Sequence, residues 1–270
     1  MSRSIPHLSR LLAVVPLAAA IFILCGPAPG FPSIPECQPA PGAAEGPRAK
    51  EEPGAPAART VEGSPEGGFP YRLTIPASAT PEKPSRLVIW LHPSGRWMTT
   101  VDAMAPIFAR NGFALLVVTG KQTTGWTDRE AARLLSRTLP DAAKVAGVDA
   151  ARPVLFGFSA GGQLALALWQ ARPGRYGGLI LDAAYPVEEK DGRQVAISLP
   201  SDPAVREVPL FVLVGLKDPL AVFWRQVEGP WREAGVPLTV CYVPGKGHEW
   251  LLGDEEIAAL EAWLGRMGGR

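Results

Sequence analysis

Histidine and cysteine are scarce: three of each in 270 residues. Too few imidazoles and thiols are available for an obvious zinc set. Charge of one sign is missing as well. Lys and Arg number 27 against 26 Asp and Glu, for a net +1, which excludes a broad basic surface for nucleic acid. Long apolar runs are also absent, since the run at 11–24 falls short of the ~20 residues a spanning helix requires. What remains, 47% hydrophobic and 20% charged residues, is ordinary globular usage. It excludes disorder throughout and suits one large domain or at most two.

The first thirty residues have the make-up of an export signal. Arg3 and Arg10 supply a positive start, no acid precedes Glu36, and 11–24 has the length of a signal's apolar core. Residues 1–30 therefore read as a signal peptide or an uncleaved membrane anchor. Cys25 offers lipidation as an alternative, although Phe22-Ile23-Leu24 lacks the small residues expected before a lipidated cysteine. Residues 31–68 are rich in Pro, Gly and Ala, with few sizeable apolar side chains, and read as a disordered tether. The expected location is outside the cytoplasm: periplasmic, secreted or held at the outer face of a membrane. If the signal is removed, Cys37 and Cys241 remain, as a disulfide or as two free thiols.

From residue 69 onward, strand and helix patterns alternate. Apolar or β-branched runs at 71–75, 86–91, 113–118, 154–156, 178–181, 210–214 and 238–243 predict strands, most of them buried on both faces. Helical spacing predicts helices over 101–111, 127–146, 161–171, 220–234 and 254–266, and Thr127 with Glu130 forms a capping box. Such alternation predicts a doubly wound, mostly parallel sheet flanked by helices. Sites in such sheets lie at the carboxyl ends of the strands.

One of those ends carries Gly157-Phe158-Ser159-Ala160-Gly161-Gly162, a G-x-S-x-G sequence between a strand and a helix. A turn this tight exposes the Ser159 hydroxyl and directs the Ala160 N–H toward a developing oxyanion. A serine needs a base, and with His7 in the signal the choices are His92 and His248. His248 sits in a Gly-rich loop after the last strand. Asp218 follows the strand 210–214, and the order Ser159, Asp218, His248 places three chemical groups after three strands. Asp182, at the end of its own strand, is the alternative acid.

On these residues, on Leu87-Val88-Ile89-Trp90-Leu91-His92 and on Gly247-His248-Glu249-Trp250, the segment 69–270 resembles the α/β-hydrolase fold serine hydrolases. Within them it is similar to polyhydroxybutyrate depolymerase-like and feruloyl esterase-like proteins, and to the phospholipase/carboxylesterase and dienelactone hydrolase-like groups. The resemblance implies an acyl-enzyme on Ser159, a small-molecule or polymeric ester as substrate, and acyl-transfer chemistry that needs no metal and no organic cofactor. Those families usually carry His-Gly where this chain has His92-Pro93-Ser94-Gly95. Pro93 has no N–H, so the second oxyanion donor is expected at Ser94, with Gly95 as fallback. Trp97, Trp126 and Trp250 are candidate walls of the substrate pocket, and 185–208 has the length of a partial cover. Two other readings fit the same residues: a serine peptidase or amidase, and a non-catalytic binding protein of the cell envelope.

Overall fold

The computed structural model describes residues 58–95, 98–119 and 125–268. The expected signal, most of the tether, Cys25, Cys37 and Trp97 lie outside them. Eight strands form one sheet in the order β1-β2-β4-β3-β5-β6-β9-β10. These are β1 (Arg59–Gly63), β2 (Tyr71–Ile75), β3 (Ser85–Leu91), β4 (Phe113–Val118), β5 (Val148–Phe158), β6 (Gly178–Asp182), β9 (Leu210–Gly215) and β10 (Leu238–Val243). Strand β2 runs antiparallel to both neighbours, whereas β4, β3, β5, β6, β9 and β10 are mutually parallel. Among the described residues no helix is long and apolar enough to cross a membrane.

The alternation of side chains along the strands builds a core on each face. Leu87, Ile89 and Leu91 of β3 pack in one cluster with Trp169 and Trp224, from helices α4 (Ala160–Ala171) and α5 (Ala221–Glu233). Val88 and Trp90 point to the other, with Phe108 of α1 (Met98–Arg110) and Trp263 of α6 (Asp254–Gly268). Burial on both sides is why these strands read as unbroken apolar runs. Trp90 meets Phe156 edge-on at 4.6 Å between ring centres, a geometry worth ~1 kcal/mol beyond the area it buries.

Three local features depart from the expectation. Strand β1 lies inside the stretch assigned to the tether, because its pairing with β2 replaces the burial that its composition lacks; Val61 alone packs against the core. The expected helix 127–146 is interrupted: α2 (Asp128–Arg133) passes through a π-helical turn, Leu134–Thr138, into α3 (Leu139–Ala142). Pro140 has no N–H to continue the i→i−4 ladder, and Leu139 N–H bonds Leu134 five residues back. Between β6 and β9 a hairpin forms, β7 (Val187–Lys190) and β8 (Arg193–Ala196), turning on Asp191 and Gly192 with φ of 53° and 72°. Both positive angles are those a two-residue I′ turn requires.

Candidate active site

Strand β5 pairs with β3 and β6 and delivers Ser159 at its carboxyl end. Ser159 has φ 51° and ψ −118°, a left-handed backbone that a non-glycine residue adopts only under constraint. Its N–H donates to the Asp182 carbonyl at 2.9 Å, and its own carbonyl accepts Gln163 N–H at 3.0 Å as α4 begins. The turn closes so tightly that a Cβ on Gly157 would lie 2.4 Å from the Gly161 carbonyl. One on Gly161 would lie 1.8 Å from the Leu91 carbonyl. Glycine at both ends of the motif is thus a packing requirement, and it brings the loop after β3 against the start of α4.

His248 and Asp218 come to Ser159 from two further loops. His248 Nε2 lies 2.8 Å from Ser159 Oγ, and its Nδ1 lies 2.8 Å from Asp218 Oδ2. A carboxylate only accepts, so Nδ1 carries the proton and Nε2 is left to accept from the serine hydroxyl. The loop bearing His248 is held from both sides: Lys217 N–H donates to the Lys246 carbonyl at 2.7 Å, and Leu251 N–H donates to the Asp182 carboxyl. The imidazole remains about a third exposed, while Asp218 is buried.

Asp218 makes one contact that the sequence did not suggest. Tyr185 Oη donates to its Oδ2 at 2.6 Å, and Leu220 N–H donates to its Oδ1 at 2.9 Å. Burial works to raise the Asp218 pKa, but the hydrogen bonds from His248, Tyr185 and Leu220 outweigh it and hold the carboxyl below its ordinary value. Burial, reinforced by the carboxylate it faces, pushes the Tyr185 phenol the other way, well above the usual tyrosine range, so it stays a donor. Asp182, the alternative acid, does not meet His248. It is fully buried, its carboxyl accepts Leu251 N–H, and burial raises its pKa well above the ordinary value.

The other expected site residues divide. Leu91 pairs in register with Gly157, so the loop His92-Pro93-Ser94-Gly95 leaves the sheet beside the serine turn. Buried His92 donates from Nδ1 to the Pro93 carbonyl at 2.7 Å and lies against Trp126, the rings tilted by 31° with 4.7 Å between centres. Trp126 is no pocket wall: it is 3% exposed and its indole N–H donates to the His92 carbonyl at 2.9 Å. It buttresses the loop that presents Ser94. Trp250 is also mainly packing, edge-on to Trp90 at 5.8 Å and to Phe158 at 5.7 Å. Trp97 lies outside the described residues. Cys241 is buried in β10 and disulfide-bonded, with its partner outside the described residues, where the expected Cys37 also lies. Among the described residues, no group of three or more His, Cys, Asp or Glu is arranged to hold a metal ion.

Strand order, crossovers and the strand-turn-helix serine together define the α/β-hydrolase fold. Solved structures share it. A carboxylesterase from Mesorhizobium loti is 21% identical with a TM-score of 0.53, over 73% of this chain and 94% of that one. A CE1 ferulic acid esterase from the anaerobic fungus Anaeromyces mucronatus is 15% identical with a TM-score of 0.59, over 82% and 94%. A fluorophosphonate-binding serine hydrolase from Staphylococcus aureus is 15% identical with a TM-score of 0.54, over 77% and 98%. No family model and no curated protein sequence matches the chain.

Proposed function

We propose that the chain is an exported serine hydrolase that cleaves carboxylic esters through an acyl-enzyme on Ser159. The observation that carries this reading is the unbroken relay Ser159 Oγ, His248, Asp218 Oδ2, with 2.8 Å at each step, on a serine held at positive φ. His248 Nε2 takes the hydroxyl proton as Oγ bonds to the ester carbonyl carbon, and the carbonyl electrons move onto oxygen. Backbone N–H groups of Ala160 and Ser94 receive that oxyanion. Collapse breaks the bond to the alkoxy group, which leaves with the proton from His248; water, deprotonated by the same nitrogen, then frees the acid. Asp218 fixes the imidazole tautomer and offsets its transient charge.

The esterases of the same fold favour an ester over an amide substrate. A disulfide at Cys241 favours an oxidising compartment, in keeping with the export-like first thirty residues and a tether that holds the domain away from a membrane. Fluorophosphonate labelling of the full chain, with peptide mapping and Ser159→Ala as control, tests the proposal. Labelling at Ser159 together with turnover of p-nitrophenyl acetate or a feruloyl ester is expected. A well-folded protein that neither labels nor turns over any ester overturns it.

A further inference from the structure

At the amino ends of the strands, opposite the serine, lies a cavity of about 600 Å³. Its rim carries Arg86, Arg152, Arg206, Arg232 and Arg266 against a single carboxylate, Glu207. For a chain of net charge +1 this is a strong local excess, which overall composition conceals. Two of the guanidiniums have carboxylate partners: Arg152 approaches Glu207 at 3.8 Å, and Arg232 pairs with Glu228 at 2.9 Å. Arg86, Arg206 and Arg266 have no carboxylate within ion-pair distance among the described residues. Arg206 is steadied by Nε donating to the Ala234 carbonyl at 2.9 Å, which leaves its terminal amines for another acceptor.

The floor is apolar and closely fitted. Trp263, Met267, Val236 and Leu238 line it. The adjoining Gly177 and Gly178 let these groups close down: a Cβ on Gly178 would lie 2.9 Å from Met267 Cε and 3.1 Å from Trp263 Cη2. One on Gly177 would lie 2.5 Å from the Arg152 carbonyl and 3.5 Å from Arg86 Cδ. The edges of Trp263 and Met267, both largely buried, together with several guanidiniums suit a ligand with an apolar portion and several anionic oxygens, which planar guanidinium forks bind in pairs. The volume is that of an ordinary small-molecule site. Strands of five or six residues separate it from Ser159, roughly 15–20 Å at the strand rise, so a small ester at the serine does not fill it.

The geometry points to a second binding site here, for an organic phosphate with an apolar moiety, supplied either in solution or as the headgroup of an anionic lipid. The full chain is titrated calorimetrically with 1-naphthyl phosphate, inorganic phosphate and inorganic pyrophosphate, and floated with phosphatidylcholine vesicles with or without phosphatidic acid. Naphthyl phosphate is expected to bind more tightly than inorganic phosphate. The double variant Arg86→Gln with Arg266→Gln is expected to weaken binding about ten-fold or more, with melting temperature and Ser159 labelling unchanged. Binding of only the phosphatidic acid vesicles, lost in the double variant, identifies the lipid as the source. No saturable binding of any probe, or equal binding by the double variant, overturns the proposal. Because labelling at Ser159 is read separately, failure here leaves the hydrolase reading untouched, and the reverse also holds.

Discussion

Tyr185 and His248 donate to one oxygen: the phenol reaches Asp218 Oδ2 at 2.6 Å and the imidazole Nδ1 reaches it at 2.8 Å. A carboxylate with two such donors spreads its charge, which tempers its pull on the imidazolium formed during turnover. Tyr185→Phe keeps the ring and removes the donor. It also removes one of the hydrogen bonds that hold the Asp218 carboxyl below its ordinary value, so the acid limb in a pH profile of kcat/KM is expected to move to higher pH, with activity near neutral pH down up to about ten-fold. A uniform drop with no movement of the limb would make Tyr185 a packing residue only.

Ser159→Ala, His248→Ala and Asp218→Asn are each expected to lower kcat by about a thousand-fold or more. Esterase assays beside thermal melts check this, since melting temperatures should stay close to the parent's. If Asp182→Asn rather than Asp218→Asn abolished turnover, the acid would be the wrong one.

Asp182 is better examined through stability. Burial raises its folded pKa above the unfolded value of ~4, so between the two the folded chain keeps a proton that the unfolded chain releases. Stability then falls as pH rises through that window. Asp182→Asn retains an acceptor for Leu251 N–H without the ionisable group. Its melting temperature relative to the parent is expected to improve from pH 4 to pH 8, and a difference independent of pH would refute the account. Asp218 acts in the opposite sense. Its lowered pKa contributes stability above ~4, and that contribution is lost as pH falls through the folded value.

Trp126→Phe tests the buttress. Losing the indole donor leaves the buried His92 carbonyl short of a hydrogen bond, at a cost of about 1–3 kcal/mol, and loosens the loop before Ser94. The expected outcome is a lower kcat, by about ten-fold, with KM nearly unchanged. A change confined to KM would return Trp126 to the substrate pocket.

Much of this was legible because burial on both faces writes parallel strands as apolar runs, and because a glycine-flanked serine between strand and helix has few other uses. Strand β1 was illegible, since backbone pairing rather than side-chain burial holds it in place. The hairpin had a signal, Asp191-Gly192, that alternation of apolar residues around it did not reinforce. The role of Tyr185 depends on β6 and β9 being neighbours, a fact of topology that no local pattern contains. Trp126 and Trp250 were expected as pocket walls, but spacing does not say whether a ring faces ligand or packs on carbonyls and other rings.

The two attachments of Asp182 carry a lesson about how the site tolerates change. Its carbonyl receives the backbone N–H of Ser159 while its carboxyl receives that of Leu251. Ser159 and the loop of His248 are therefore hung from a single strand end, like two hands on one clock spindle. Lengthening the segment between His248 and Leu251 by one residue would put the imidazole out of step with the hydroxyl even if every side chain were retained. The Asp191-Gly192 tip, exposed and carried on a two-stranded sheet of its own, is where added length should pass unnoticed by the pairing of Ser159 with His248.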